Sequence, residues 1–392
     1  MQCIEDFLVT VWLSLNYHRR TYPSGKKSLV VKFYATLPPG LEDVAAKEVE
    51  ELGGRVEEIR QEKGRIFFSG EKDIIPAINH LSRTLERLNL LLLRCSVETL
   101  DDIYREVKSL DFSFIKGKSF AVRSLRVGEH DFTSMDIARV AGQAVIDSFM
   151  ESHGERLRVN LSEPDVILRV ELVENELFVG VDTTGDDAMH KRWWRVYNHP
   201  AHLNAATACG MIRLAEWKFD ESLIDPMCGS GTIPIEAALM ARNVPNKREF
   251  AYQKLCKKDF EWEEKNVRLK LFGIEKFRKH LEGALNNAEN AGVLDTITFM
   301  QGDATEMSGE YDVIITNPPY GLRIHRKGAI ERLYRDFAIA ARKCMNQDSR
   351  LVIITAEYKL LARAAEEAGL QCTHERFVRY GGLLTKIMVF KV

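Results

Sequence analysis

The stretch D-P-M-C-G-S-G-T, residues 225–232, decides the fold. It follows a short apolar segment, SLID at residues 222–225, and it directly precedes a helical pattern at residues 233–243. Glycine permits a tight turn between a strand and a helix, and the free N–H groups of a helix start favour an anionic ligand group. The stretch matches neither a P-loop, since no lysine follows the last glycine, nor the complete G-x-G-x-x-G spacing. Taken alone, it is also compatible with a tight turn that binds nothing.

Apolar segments that alternate with helical patterns continue along the rest of the chain. They are LKLFGIE, TITFMQGD, YDVIITNPP and RLVIITAE, at residues 269–275, 296–303, 311–319 and 350–357. Near-continuous apolar strands between helices are typical of a parallel sheet with helices on both faces. Residues 374–392 predict two strands joined at a Gly-Gly turn, as an antiparallel edge hairpin. We therefore predict an α/β fold for the C-terminal part.

The chain before these strands has a different pattern. Residues 31–95 read as strand, helix, hairpin, helix and strand, and residues 96–185 as helix, basic strand, long helix and two or three further strands. We predict an α+β domain for each of these two ranges, a linker at residues 186–198 and the α/β domain at residues 199–392. Residues 1–30 are expected to be an appendage outside the folded unit.

The composition is that of a globular protein of two or three domains. The 392 residues include 55 Lys+Arg and 57 Asp+Glu, and 45% are hydrophobic, which excludes collagen-like, disordered and disulfide-knot chains. The net charge of −2 excludes a general attraction to nucleic acid, so any such contact requires a local basic patch. The net charge is −10 over residues 31–190 and +6 over residues 191–392. This change in charge supports a domain boundary near residue 190.

Neither the start of the chain nor its cysteines indicate export or a metal. The first 20 residues lack a basic n-region and a run of about 20 apolar residues, so they predict neither a signal peptide nor a membrane span. The seven cysteines are scattered without a C-x-x-C pair, which predicts a reduced, cytoplasmic protein without zinc. The histidines lack metal-ligand spacing as well. Cys228 lies within the glycine-rich turn, and we interpret it as a packing residue rather than a nucleophile.

Acidic residues stand at the ends of three successive strands. Asp225 ends the first, Glu275 the second and Asp303 the third. A carboxylate at the end of a parallel strand can accept both ribose hydroxyls of a nucleoside, which we expect of Glu275. Asp303 is placed to accept from the exocyclic amine of an adenine. A solvated side chain is the alternative at each position, but the three together indicate an adenosine-containing ligand.

An N-P-P-Y segment, residues 317–320, follows the fourth strand. Prolines hold the chain extended and cannot donate hydrogen bonds, so the Asn317 amide oxygen and the Pro318 carbonyl can accept from one planar NH2 group. Tyr320 offers a ring face for stacking on a base. A rigid Pro-Pro loop that only ends a strand is the alternative, and the position opposite the glycine-rich turn argues against it.

These motifs in this order resemble the class I, AdoMet-dependent amino-methyltransferases. The resemblance implies a Rossmann-like, seven-stranded sheet, AdoMet bound at the D-P-x-C-G-S-G-T turn, and an N-P-P-Y segment that holds the nitrogen to be methylated. It extends to an H-P-A-x-L turn at residues 199–203, although His202 stands where many relatives have proline. The residues that the resemblance assigns to the cofactor are His199, Pro200, Ala201, His202, Leu203, Asp225, Met227, Cys228, Gly229, Ser230, Gly231, Thr232, Glu275, Lys276, Asp303, Ala304 and Asn317.

The two N-terminal units resemble the ferredoxin-like and THUMP domains of tRNA-modifying enzymes, with the strand KSFAVRSLRV and the helix MDIARVAGQAV as the THUMP core. The whole is similar to the THUMP-bearing tRNA guanine-N2-methyltransferases that act on guanosine 6 in the acceptor stem. The resemblance implies a monomer that needs no metal and flips the guanine into the N-P-P-Y site, where Asn317, Pro318, Pro319 and Tyr320 would be catalytic. The basic residues expected to contact RNA are Lys116, Lys118, Arg123, Arg126, Lys191, Arg192, Arg323, Arg326 and Lys327.

Other substrates and functions fit parts of this pattern. Close alternatives are guanosine 10 of tRNA, with one or two methyl groups, and a guanine of rRNA. An N-P-P-Y site also fits a DNA adenine or a protein glutamine amide, against which the N-terminal domains argue. A non-catalytic RNA-binding module is the third possibility, and the intact acidic residues with Asn317 argue against it.

Overall fold

The computed structural model describes residues 30–71, 73–246, 249–255, 260–321, 327–380 and 382–392. The described chain forms two sheets, of eight and seven strands, each covered by helices. The appendage predicted at residues 1–30 lies outside the described residues, except for Val30. No helix within the described ranges is long and apolar enough to cross a membrane.

The first sheet and its helices contain the N-terminal half of the chain. Its elements are β1 (Val31–Thr36), α1 (Glu42–Glu51), β2 (Arg55–Arg60), β3 (Arg65–Gly70), α2 (Ile74–Leu81), β4 (Arg87–Ser96), α3 (Leu100–Lys108), β5 (Ser119–Val127), α4 (Ser134–His153), β6 (Arg158–Val159), β7 (Val166–Val173) and β8 (Glu176–Asp182). Capping boxes begin two of the helices: Thr99 pairs with Asp102 at α3, and Thr133 with Asp136 at α4. Each satisfies free N–H groups of the first turn.

The two predicted α+β units share one sheet instead of two separate ones. The strand order is β2-β3-β1-β4-β8-β7-β5-β6, and the units join where β4 of the first pairs antiparallel with β8 of the second. Residues 89–96 of β4 pair with residues 176–182 of β8. The strand β4 therefore belongs to both units, because its residues 87–90 pair with β1 and its residues 89–96 pair with β8.

The second sheet has the predicted α/β alternation. Its elements are α5 (Ala205–Leu214), β9 (Ser222–Asp225), α6 (Thr232–Ala241), α7 (Tyr252–Leu255), β10 (Lys270–Glu275), α8 (Arg278–Ala291), β11 (Ile297–Gln301), β12 (Val313–Thr316), α9 (Lys327–Lys343), β13 (Arg350–Thr355), α10 (Tyr358–Glu367), β14 (Gln371–Tyr380) and β15 (Leu383–Lys391). The strand order is β11-β10-β9-β12-β13-β15-β14, parallel through β13 and antiparallel for the hairpin β14–β15. This mixed, seven-stranded sheet confirms the predicted fold. The order reverses between β10 and β12, on either side of β9, which is where open α/β sheets bind ligands.

The two sheets are joined by a continuous apolar core and by buried charges. Leu41 of the first unit packs against α5, where a Cβ at Gly210 would lie 2.6 Å from the Leu41 side chain. Glu236 of α6 is fully buried and accepts hydrogen bonds from Arg192 at 2.8 Å and from Arg83, beyond α2, at 3.5 Å. Burial alone would raise the pKa of Glu236, but the two arginines outweigh it and lower that pKa. The N-terminal half is thus joined to the α/β domain by buried apolar and charged contacts.

Candidate active site

The carboxyl ends of the parallel strands open into one cavity of about 1320 Å³. It is lined by the glycine-rich turn after β9, by Glu275 and Asp303 after β10 and β11, and by residues 317–320 after β12. Pockets for a single small ligand are usually about 300–1,000 Å³. This cavity therefore has room for a nucleoside cofactor and a substrate base together.

The backbone of the glycine-rich turn approaches the cavity closely. Gly229 and Gly231 have φ values of 53° and 78°, which residues with a Cβ rarely adopt. Cys228 N–H donates to the Ile274 carbonyl at 2.9 Å and Gly229 N–H to Glu275 Oε2 at 3.0 Å, so the turn is fixed to β10. Cys228 is buried, and burial raises the pKa of its thiol well above the ordinary value, which disfavours the thiolate a nucleophile would need.

Asp225 lies beneath this turn and connects it to β12. Its Oδ1 accepts from the Thr316 hydroxyl at 2.8 Å and from Met227 N–H at 3.1 Å. Burial raises the pKa of Asp225 to about 7, although both hydrogen bonds act in the opposite direction. The neutral and ionised forms of its carboxyl group are therefore present in similar amounts near pH 7.

The other two acidic residues line the same wall of the cavity. Glu275 is buried, and its two oxygens accept from Gly229 N–H and from Phe277 N–H. Asp303 accepts from Lys276 Nζ at 2.7 Å and from Thr305 N–H at 3.0 Å. The Lys276 hydrogen bond is the largest of the effects that lower the pKa of Asp303 to about 2. Both carboxylates are thus oriented by neighbouring groups, and each can accept a further hydrogen bond.

The N-P-P-Y segment is held by contacts within it and behind it. The Tyr320 hydroxyl donates to Asn317 Oδ1, and Pro318 is buried. Tyr334 of α9, itself fully buried, donates to the Pro319 carbonyl at 3.2 Å and is 2.7 Å from the Thr355 hydroxyl. Tyr334 thus fixes the segment from below. The sequence did not point to this residue, because a tyrosine on the apolar face of a helix looks like ordinary core.

The predicted H-P-A-x-L turn also lines the cavity and lies beside the glycine-rich turn, since a Cβ at Gly229 would be 3.7 Å from the His199 ring. His202 N–H donates to the His199 carbonyl at 3.0 Å, which closes the turn. The His199 ring packs edge-on against His280 of α8, with centroids 4.2 Å apart, and the Tyr197 hydroxyl lies 2.7 Å from His280 Nδ1. Residues 199–203 and His280 thus line the same cavity as the glycine-rich turn.

Arg195 is a cavity residue that sequence reasoning did not identify. One of its Nη atoms donates to the Leu203 carbonyl at 3.2 Å and to the Thr232 hydroxyl at 3.3 Å, at the start of α6. A guanidinium next to a helix N-terminus suits an anionic ligand group. The signal was present in the basic run KRWWR, but its last arginine could not be placed without the fold.

Three further parts of the chain contribute residues to the cavity lining. Pro38 and Pro39 come from the loop after β1, Lys191 from the linker, and Arg379 and Leu383 from the β14–β15 hairpin. Arg379 N–H donates to the Pro39 carbonyl at 3.1 Å, so the hairpin is joined to the N-terminal half here.

The residues predicted to contact RNA separate into different groups. Arg192 was wrongly predicted, because its side chain is fully buried against Glu236. Arg123 is bound by both oxygens of Asp186, at 2.8 and 3.0 Å, whereas the Lys116 side chain is 62% exposed. Arg323 and Arg326 lie outside the described residues, as does the side chain of Lys327. Of the other predicted residues, Lys116 and Lys191 are exposed, whereas Lys118, Arg123 and Arg126 are partly buried.

A mixed sheet in this strand order, with its ligand cavity above the carboxyl ends of the parallel strands, has the architecture of the class I, AdoMet-dependent methyltransferases, and this chain is one of them. Family models match it over its length: an RMKL-like methyltransferase domain at residues 192–386, a THUMP domain at 97–182 and an RlmL ferredoxin-like domain at 32–88. No group of three or more possible metal ligands is present among the described residues.

Two similar proteins are both named tRNA (guanine(6)-N2)-methyltransferase. The one from Archaeoglobus fulgidus is 80% identical over 392 residues, all of both chains. The one from Methanocaldococcus jannaschii is 50% identical over 374 residues, 91% of this chain and 98% of that protein. The crystal structure of TrmN from Thermus thermophilus matches with a TM-score of 0.70 and 27% identity, over 93% of this chain and 99% of that one. The protein belongs to the THUMP-bearing RNA methyltransferase family that includes the first two.

Proposed function

We propose that this enzyme methylates the exocyclic N2 amine of a guanosine in tRNA, at position 6 in the acceptor stem. The observation that carries the proposal is one cavity lined both by the glycine-rich turn and by Asn317 and Pro318. The names of the two relatives support the substrate and its position. The THUMP and ferredoxin-like domains support an RNA rather than a free nucleoside.

The residues of the cavity wall fit AdoMet. The positive-φ glycines let the backbone of the turn lie against it, and the start of α6 with Arg195 would take its carboxylate. Glu275 would accept hydrogen bonds from the ribose hydroxyls, and Asp303 would accept one from the adenine amine. When bound, AdoMet supplies an electrophilic methyl group on its sulfonium.

The N-P-P-Y segment would hold and activate the amine. The lone pair of a guanine N2 is delocalised into the ring, so the free amine is a poor nucleophile. Asn317 Oδ1 and the Pro318 carbonyl would each accept one amine hydrogen, which orients the lone pair and stabilises the positive charge that develops as N2 attacks. Both acceptors lie on a segment fixed by Tyr334 from behind, so this orientation is set before the substrate arrives.

The hydrogen bond of Tyr320 to Asn317 could be kept or released when the substrate binds. Its hydroxyl now donates to Asn317 Oδ1, the same oxygen that would accept from the guanine amine. An amide oxygen has two lone pairs, so it can keep Tyr320 while it accepts from N2, or release it. The ring of Tyr320 would stack on the guanine, which would first have to leave the acceptor-stem helix by base flipping.

The test is methyl transfer by an Asn317→Ala variant. We expect wild type to methylate a tRNA transcript at guanosine 6 with labelled AdoMet, located by mass spectrometry of mapped fragments. The variant should lose about 10²-fold or more in kcat, the scale for removing one hydrogen-bonding group that stabilises transition-state charge, while AdoMet binding measured by calorimetry is retained. Normal turnover by the variant would refute the amine clamp, and a methyl group at guanosine 10 or only on rRNA would refute the position or the substrate.

A further inference from the structure

One buried amide on α8 joins two segments that both continue into the cavity lining. Asn287 is fully buried and is not itself among the lining residues. Its Oδ1 accepts from Val196 N–H at 2.9 Å and from Tyr197 N–H at 2.8 Å. Its Nδ2 donates to the Tyr197 and Ser230 carbonyls, both at 3.0 Å. All four hydrogen bonds that an amide side chain can form are thus made to the backbone of these two segments.

The two segments lie on either side of the amide. Ser230 belongs to the glycine-rich turn and lines the cavity. Val196 and Tyr197 lie between Arg195 and residues 198–203, all of which line the cavity. The amide has one possible orientation, because its oxygen meets two N–H groups and its nitrogen meets two carbonyls. It therefore connects the glycine-rich turn to the chain that leads into the H-P-A-x-L turn.

The same face of α8 holds that leading segment at three more positions. Asn290 Nδ2 donates to the Trp194 carbonyl at 3.1 Å. A Cβ at Gly283 would clash with the Tyr197 ring, whose hydroxyl lies 2.7 Å from His280 Nδ1. Positions three or four apart share one side of a helix, so these side chains form a continuous support. Glycine inside a helix is destabilising, and here it permits the close approach of the tyrosine.

The hydrogen bond to Ser230 also sets the direction of the peptide units in the glycine-rich turn. A peptide unit is planar, so a fixed Ser230 carbonyl fixes the Gly231 N–H, which donates to the Cys228 carbonyl at 2.8 Å. The neighbouring Gly229 is the point at which the other segment comes near, since a Cβ there would be 3.7 Å from the His199 ring. The amide thus controls both members of a close pair of cavity-lining turns.

We propose that Asn287 is a positioning residue for AdoMet, which sets the glycine-rich turn and the H-P-A-x-L turn at the spacing that the cofactor requires. This inference rests on the proposed placement of AdoMet against the glycine-rich turn. Asn287 acts through the backbone of Ser230 and Tyr197 and touches none of the reacting atoms. Its loss weakens AdoMet binding, because part of the binding energy then orders the two turns. At saturating AdoMet the turns are ordered again, so the methyl transfer itself is nearly unchanged.

The experiment compares Asn287→Ala with Asn79→Ala. Asn79 is also fully buried, donates to the Ile75 carbonyl and the Thr183 hydroxyl at 2.9 Å, accepts from the Thr184 hydroxyl at 2.8 Å and is not among the lining residues. In Asn287→Ala, the Kd of AdoMet by calorimetry should rise about tenfold or more, the scale of one lost buried hydrogen bond. Its kcat at saturating AdoMet should stay within about threefold of wild type. Asn79→Ala should lower the melting temperature and leave the AdoMet Kd within about threefold of wild type.

Asn287→Asp is a second variant that separates the two halves of the contact. It keeps an oxygen to accept from Val196 and Tyr197 and removes the donor to the Ser230 carbonyl. Its AdoMet Kd should rise at least about threefold. An unchanged Kd in Asn287→Ala, or in Asn287→Asp if the alanine variant does not fold, overturns the proposal. An equal rise in Asn79→Ala, a fall in kcat larger than the rise in Kd, or failure of both Asn287 variants to fold assigns the residue to stability alone and overturns it too.

Wild type tests the proposed function separately. The AdoMet Kd is measured without tRNA, so it does not depend on which nucleotide is methylated. Wild type that binds AdoMet but adds no methyl group at guanosine 6 contradicts the proposed function and not the role of Asn287. Methylation at guanosine 6 by wild type, together with an unaltered AdoMet Kd in the Asn287 variants, contradicts only the role of Asn287.

Discussion

The Thr316 hydroxyl donates a hydrogen bond to Asp225 Oδ1 at 2.8 Å, and both side chains are buried. Asp225 begins the glycine-rich turn, and Thr316 immediately precedes Asn317. The bond therefore joins the wall proposed to hold AdoMet to the segment proposed to hold the guanine amine. A shift of either side by a fraction of an ångström would be transmitted to the other through this contact.

Thr316→Val tests this connection. It keeps the shape of the side chain and removes the hydroxyl, so a buried oxygen of Asp225 loses a donor at a cost of about 1–3 kcal/mol. We expect AdoMet affinity to fall about tenfold and kcat to fall with it. Thr183→Val is the control, because Thr183 is similarly buried, donates to the Leu88 carbonyl at 2.8 Å and is not among the residues that line the cavity. If both variants lose stability but neither loses AdoMet affinity, the connection has no functional role.

The pKa of Asp225 predicts a pH-dependent stability. Burial raises this pKa to about 7, against about 3.9 in an unfolded chain. The folded state therefore holds the proton more tightly, and the stabilisation from this proton is present below about pH 4 and is lost as the pH rises to about 7. Asp225→Asn removes the titrating carboxyl group. Relative to wild type, the variant should gain a few kcal/mol of unfolding free energy between about pH 4.5 and about pH 8 in guanidinium titrations. Parallel curves for the two proteins would contradict the shift.

Substitutions of the two adjacent basic residues Lys191 and Arg192 are expected to differ in their cost to stability. Arg192→Ala leaves the buried carboxylate of Glu236 with Arg83 as its remaining arginine partner, so it should cost about 3 kcal/mol or more of stability. Lys191 pairs with Asp187 at 3.1 Å with both side chains largely exposed, and Lys191→Ala should cost under about 1 kcal/mol. Lys191→Ala should instead weaken tRNA binding, because Lys191 is an exposed residue of the cavity lining. Equal stability losses in chemical unfolding would mean that the Arg192 pair is not structural.

The α/β domain can be predicted from sequence because its signals are local. Each apolar strand ends in a chemically distinctive residue, and the alternation of strands and helices brings those ends to one edge. The sequence alone therefore assigns Asp225, Glu275, Asp303 and Asn317 to one site, and all four line the cavity. The antiparallel hairpin follows from two alternating runs with a Gly-Gly turn between them.

Long-range pairing is what the sequence could not supply. No local signal shows that β4 also pairs with β8, so the two N-terminal units were predicted as separate. Burial of Arg192 depends on Glu236, 44 positions away, and its local sequence is as basic as that of a surface loop. Arg379 reaches the cavity only because the hairpin meets Pro39, far earlier in the chain. These contacts depend on packing between domains, which the local periodicity of apolar residues does not predict.

The basic residues proposed to bind RNA differ in the ion pairs that they already form within the protein. Arg123 is already neutralised by Asp186 in a two-oxygen contact, whereas Lys116 lies 3.9 Å from Glu155 with both groups exposed. An arginine held in this way would have to leave Asp186 before it met a phosphate. Lys116→Ala/Lys118→Ala should therefore weaken tRNA binding and flatten its dependence on log salt by about 1 for each phosphate that is no longer bound. Arg123→Ala should leave that slope almost unchanged. A slope that responds to Arg123 and not to the two lysines would place the RNA toward the Asp186 side of this domain.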